Sequence, residues 1–157
     1  MRRGSAPARA QSGLAYLGVL MLAAAIAAGL AATARPWSMQ QQRAREAELL
    51  FIGQQFQRAI ASYYRAGPSP AFPRSLDALL KDSRVPFMLR HLRRLYRDPL
   101  TGSADWGVVK GPDGGVIGVY SQAPGKPLKQ DGFPASLGNF AGKSRYADWI
   151  FLYDERR

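Results

Sequence analysis

Side chains able to do covalent or acid-base chemistry are scarce in this chain. It has no cysteine, which removes disulfides, thiolate metal sites and a thiol nucleophile together. Its one histidine, His91, stands between Arg90 and Leu92 in a run of arginines, where a solvated or capping ring is expected rather than a general base. No two carboxylates fall at helical or strand spacing in a catalytic pattern, and Gly114-Gly115 lacks the lysine and Ser/Thr of a phosphate loop. The expectation is a protein that is not an enzyme, with no cofactor and no metal. Positive charge is abundant instead, with 22 Lys+Arg against 11 Asp+Glu and a net charge of +11. Such a balance suits nucleic acid or a membrane surface. Arg90, Arg93, Arg94 and Arg97, at spacings of 3, 1 and 3, form a compact basic face if they lie on a helix. That face could grip phosphates. It could also pair with Asp77, Asp82 and Asp98. No run of stacking aromatics accompanies these arginines, which sets nucleic acid behind anionic lipid headgroups or an acidic partner.

The elements that carry these residues begin with an apolar run. No residue from Leu14 to Ala34 is charged, and Tyr16 and Thr33 are its only polar groups. A helix of that length spans roughly 31 Å, about the hydrocarbon thickness of a bilayer. Arg2, Arg3 and Arg9 precede it; Arg35, Pro36 and Trp37 follow, a cation and an indole suited to a bilayer surface. Pro36 would kink a continuing helix or open a new one. Ala32-Thr33-Ala34 also fits the small-x-small pattern of a signal-peptidase site, which would release a soluble domain starting at Arg35.

Beyond Pro36, Leu49, Ile52, Phe56, Ala59 and Tyr63 recur at spacings of 3 and 4, the stripe of an amphipathic helix that Gly67-Pro68-Ser69-Pro70 ends. The stripe is expected to pack on the chain's own sheet. Phe72 to Leu80 predicts a short helix capped by Ser75, and Met88 to Tyr96 a second, stopped by Asp98-Pro99. The period then becomes two: Trp106 to Lys110 and Val116 to Ser121 flank a glycine-rich turn as a hairpin, and Asp148 to Tyr153 supplies a third strand. The polar stretch from Gln122 to Tyr146 is long for a connection, as functional or mobile loops are. A long helix on a small antiparallel sheet is an α+β fold.

Gln11 to Leu20, QSGLAYLGVL, resembles the prepilin leader junction of type IV pilins and type II secretion pseudopilins, in which a peptidase cuts after glycine and the apolar helix stays on the mature protein. Phe72-Pro-Arg-Ser-Leu-Asp-Ala-Leu-Leu, Leu95-Tyr96-Arg97-Asp98-Pro99, Gly102 and Trp106-Gly107, in that order, are similar to the soluble domain of major-pseudopilin-like proteins. The resemblance covers most of residues 11 to 153. It implies a leader at 1–13 ending in Gly13, a mature start at Leu14, a transmembrane helix at 14–34, a helical extension at 35–66 and a periplasmic domain at 67–157.

By the same resemblance, Tyr16, Leu17 and Gly18, with Pro36 and Trp37, belong to a membrane and assembly helix. The partners implied are the bilayer, a prepilin peptidase and other pseudopilin or secretion-platform subunits. The location implied is the bacterial inner membrane, single-pass, with the C-terminal domain periplasmic. A DNA-binding minor-pilin-like protein is the alternative within the superfamily. Family members usually carry glutamate at the fifth mature residue, where Gly18 stands, and phenylalanine where Leu14 stands, so the resemblance implies an atypical subunit. Major pseudopilins bind calcium in the loop before the last strand. Asp131-Gly132 and Ala147-Asp148 are the matching fragments here, and Lys126, Lys129, Lys143 and Arg145 oppose a cation there.

Overall fold

The computed structural model describes residues 11–137 and 140–153. Arg2, Arg3 and Arg9 lie outside the described residues, as do the side chains at 11–14 and 29–36, Leu14, Pro36 and the Ala32-Thr33-Ala34 site among them. The chain divides into two compact units, 1–41 and 42–157.

One α-helix, α1, runs from Gln11 to Ala66. The helix continues through Pro36, and no new one opens there. In the second unit the stripe does what its period predicts: Leu49, Ile52, Phe56, Ala59 and Tyr63 are all buried, joined by Ile60. The helix stops at Ala66, immediately before Gly67-Pro68, because proline cannot extend it.

Three short strands make the antiparallel sheet against which that stripe packs: β1 (Gly107–Lys110), β2 (Val116–Tyr120) and β3 (Phe151–Leu152), in the order β1-β2-β3. The fold is therefore α+β. The β1-β2 hairpin agrees with its alternating sequence to within a residue at each end. Its turn closes through Gly111 N–H to the Gly115 carbonyl at 2.8 Å, with Gly114 at φ +76°, a conformation that favours glycine. The third strand is only two residues long, because a 3-10 turn at Tyr146–Asp148 precedes it. Trp149 and Phe151 are nonetheless fully buried, and Tyr153 packs half-buried on Tyr64 and Phe72. The Phe151 ring lies directly against α1 at Gly53, where an added Cβ would come within 2.2 Å of it. Aromatic edges fill the remaining core, Phe56 meeting Trp106 at 5.0 Å and Phe140 stacking on Trp149 at 5.7 Å.

Other expectations are corrected. Met88 to Tyr96 is not helical, so Arg90, Arg93, Arg94 and Arg97 do not share a helical face. Leu79 accepts hydrogen bonds from both His91 and Leu92 N–H at 2.9 Å, and Asp82 bridges to Leu89. Those donors and acceptors are tied to another segment, so they cannot serve an i to i−4 ladder. Met88, Leu92 and Leu95, which stand at helical spacing in the sequence, are exposed, buried and half-buried respectively. Phe72 to Leu80 shortens to a 3-10 turn at Leu76–Leu79, and Ser75 makes no side-chain cap. The long stretch from Gln122 to Tyr146 sends Ala123, Leu137, Phe140 and Tyr146 into the core.

Candidate functional site

Among the described residues three carboxylates are buried, and each holds a different part of the fold. Glu46 is on α1, one helical turn before Leu49 and therefore on the buried stripe. Its carboxylate accepts from Leu128 N–H at 2.7 Å, Lys129 N–H at 3.0 Å and the Tyr146 hydroxyl at 2.7 Å. Gln42, one turn earlier, donates to that hydroxyl at 2.8 Å and to the Lys126 carbonyl at 3.3 Å. Burial, with the adjacent Glu46 carboxylate adding to it, pushes the Tyr146 phenol up to about 12. Beside this cluster a cavity of about 460 Å³ opens between α1 and residues 128–131, with Ala47 and Leu50 on its helix side and Arg43, Lys129 and Asp131 among its walls.

Asp82 is the second. Arg84 bonds it through Nε at 3.0 Å, Nη2 at 2.7 Å and its own backbone N–H at 2.9 Å, and also reaches the Tyr63 carbonyl at the end of α1. The Arg84 guanidinium lies 3.6 Å over the Tyr63 ring. These bonds hold the Asp82 carboxyl well below its ordinary range, against a burial effect that acts the other way. His91 Nε2 lies 3.2 Å from the same carboxylate, and Nδ1 lies 2.8 Å from Ser62 Oγ. The His91 ring is 1 % exposed, so the expected solvated histidine is an interior one.

Ser62, His91 and Asp82 thus form a hydrogen-bonded chain in hydrolase order. Two features set it apart from a nucleophilic site. Ser62 is inside α1, where neighbouring N–H groups are spent on the helix and offer no oxyanion donors. Asp82 is already bound by a permanent cation, Arg84. The cluster ties the segment after the 3-10 turn to the end of α1.

Asp98 is the third, accepting from Leu100 N–H at 2.9 Å and from the Ser121 hydroxyl. Neither Asp82 nor Asp98 takes the pairing with Arg90, Arg93 or Arg94 that the sequence allowed. All four arginines of the basic cluster are exposed; Arg94 leans over the Tyr96 ring and Arg97 bonds the Gly102 carbonyl. Of the two fragments matched to a calcium loop, Asp148 is paired to Arg145 at 2.7 Å and Asp131 is at the cavity edge. Among the described residues no group of three or more His, Cys, Asp or Glu side chains is placed to hold a metal.

The segment expected to enter a membrane presents apolar side chains on every side. Tyr16, Leu17, Val19, Leu20, Met21, Leu22 and Ile26 are between 49 % and 70 % exposed, and a Cβ added at Gly18 meets nothing within 4 Å. Trp37 is 79 % exposed. Gly13 lies within α1. Among the described residues no helix is long and apolar enough to cross a membrane; the side chains of 14–34 are described only from Ala15 to Ala28.

Sequence reasoning missed Glu46. Its signal was present, because a carboxylate three residues before Leu49 falls on the apolar stripe. No protein-family model, no curated protein and no solved structure matches the chain.

Proposed function

We propose that this chain is a non-enzymatic, membrane-anchored subunit of the pseudopilin type, serving a type II secretion apparatus of a bacterial inner membrane with its folded unit periplasmic. The observation that carries the reading is the exposure of seven large apolar side chains around the whole circumference of α1 between Tyr16 and Ile26. Burying each contributes about 1.5–3 kcal/mol. Exposure to water forgoes that gain at every one of them. An uncharged helix that is apolar all round belongs in lipid or among other helices. The continuation of the same helix into a stripe buried on a small antiparallel sheet supports the pilin-like arrangement that the leader and domain motifs imply. The basic residues before Leu14 and the uncharged run behind it support processing after Gly13 by a prepilin peptidase, with the helix retained. Partners of that reading are other pseudopilin or platform subunits.

Mass spectrometry of the mature N-terminus in native membranes tests it. A chain beginning at Leu14, in the inner-membrane fraction, is the expected result. A chain beginning at Arg35 in the soluble fraction would replace this reading with that of a secreted domain.

A further inference from the structure

The segment from Lys81 to Asp98 is neither the helix its leucines and arginines suggest nor a loose connection. Asp82 N–H bonds the Leu89 carbonyl at 3.0 Å, closing residues 83–88 into a tip. Within it, Arg84 is fixed to Asp82, to the Tyr63 carbonyl and to the Tyr63 ring, and just after it His91 and Leu92 are bonded to Leu79. The tip is therefore braced on one side by the last turn of α1 and on the other by the 3-10 turn. What it presents to water is apolar: Phe87 is 62 % exposed and Met88 71 %, with Pro86 exposed beside them. The same stretch of chain carries exposed Lys81, Arg90, Arg93, Arg94 and Arg97. Both carboxylates of the stretch, Asp82 and Asp98, are buried, so the outward face of residues 81–98 carries positive charge without compensation from its own acids.

The geometry points to an anionic lipid surface as the occupant of this face, with Phe87 and Met88 entering the interfacial region and the cations resting on headgroup phosphates. Two adjacent large apolar side chains at a braced tip, in a stretch whose exposed charges are all cations, match a boundary that is apolar within and anionic at its rim. Nucleic acid fits less well, because Phe87 is the single aromatic ring of residues 83–88 and Met88 beside it offers none on which a second base could stack. The site lies wholly in the second unit, beside the Ala66 end of α1. It uses none of residues 14–34, so it stands whether or not that segment anchors the chain.

The test uses the full chain carried in a non-ionic amphipol, flowed over supported bilayers of phosphatidylcholine alone or phosphatidylcholine with phosphatidylglycerol. Binding is expected on the anionic bilayer only, weakening with salt and by about fivefold for each of Arg90, Arg93 and Arg94 changed to Gln. The double variant Phe87→Ser, Met88→Ser alters only exposed side chains and should reduce binding severalfold while leaving the circular dichroism spectrum and melting unchanged. Absence of binding to the anionic bilayer overturns the proposal. So does binding that ignores the Phe87 and Met88 changes and is matched by a single-stranded oligonucleotide at the same salt, which would assign the face to nucleic acid.

Discussion

Glu46 on α1 accepts the hydroxyl proton of Tyr146 at 2.7 Å across a sequence separation of 100 residues, and the same carboxylate takes the backbone N–H groups of Leu128 and Lys129. One side chain therefore holds the long segment before β3 onto the helix. In Glu46→Gln an amide NH₂ would face donors, leaving at least one of them unpaired at a cost of about 1–3 kcal/mol. Glu46→Ala abandons all three and should cost more. Chemical denaturation gives the loss, and hydrogen exchange should show it first at the Leu128 and Lys129 amides. Unchanged protection there would remove Glu46 from this role.

Tyr146 extends the argument to alkaline pH. Its phenol, pushed up to about 12 by burial and then by Glu46, keeps its proton in the folded chain after an unfolded tyrosine, at 10.0, has lost it. The unfolded state then binds fewer protons, so stability falls as pH rises from about 10 toward 12. Tyr146→Phe should be less stable than the parent at neutral pH and should lose less on going to pH 12.

Asp82 governs the acid side. Its folded value is depressed, chiefly by the Arg84 guanidinium, so its contribution is complete above the ordinary value of 3.8 and is lost progressively as pH falls below it. Asp82→Asn should lower stability at pH 7 and flatten the decline between pH 4 and 2. An acid limb as steep as the parent's would mean that other carboxylates set it.

The stripe from Leu49 to Tyr63, the hairpin and the aromatic third strand were legible in the sequence because each repeats the period of its element over several residues. Met88 to Tyr96 misled for a physical reason. Leucines at helical spacing do not make a helix when the Leu79 carbonyl takes the His91 and Leu92 amides and the Leu89 carbonyl takes the Asp82 amide. Such bonds join segments about ten residues apart and leave no periodic trace. Asp98-Pro99 likewise reads as a stop signal, whereas the buried carboxylate serves Ser121 on the far side of the hairpin. The hydrogen-bonded chain through His91 was invisible in sequence, since Ser62 and Asp82 come from separate elements.

That chain supplies a direct test of the non-enzymatic reading. Ser62 lacks oxyanion donors, so it should not react with a fluorophosphonate faster than other exposed serines. Ser62→Ala should instead lose only a hydrogen bond, about 0.5–1.5 kcal/mol. Selective labelling of Ser62 that disappears in His91→Ala would make the chain a hydrolase.

Two glycines of α1 separate folding from assembly. At Gly53 an added methyl would lie 2.2 Å from the Phe151 ring, which is itself fully buried and meets Phe140 at 5.2 Å, so neither partner has room to yield. Gly53→Ala gains about 1 kcal/mol of helix propensity and loses about 1–3 kcal/mol to overpacking. Net destabilisation is expected, with increased exchange across β3. At Gly18 an added Cβ meets nothing within 4 Å, so even Gly18→Glu should leave the melting of the folded unit unchanged. Its effect belongs to the membrane: a carboxylate in an apolar environment is costly unless it finds a charged partner, such as the amine of a neighbouring subunit. In the pseudopilin reading, Gly18→Glu should therefore cross-link into longer ladders than the parent under conditions where a pseudopilus forms. If the parent chain ladders into long homopolymers as readily as Gly18→Glu does, charge pairing at this position does not control assembly and another contact must hold the subunits together.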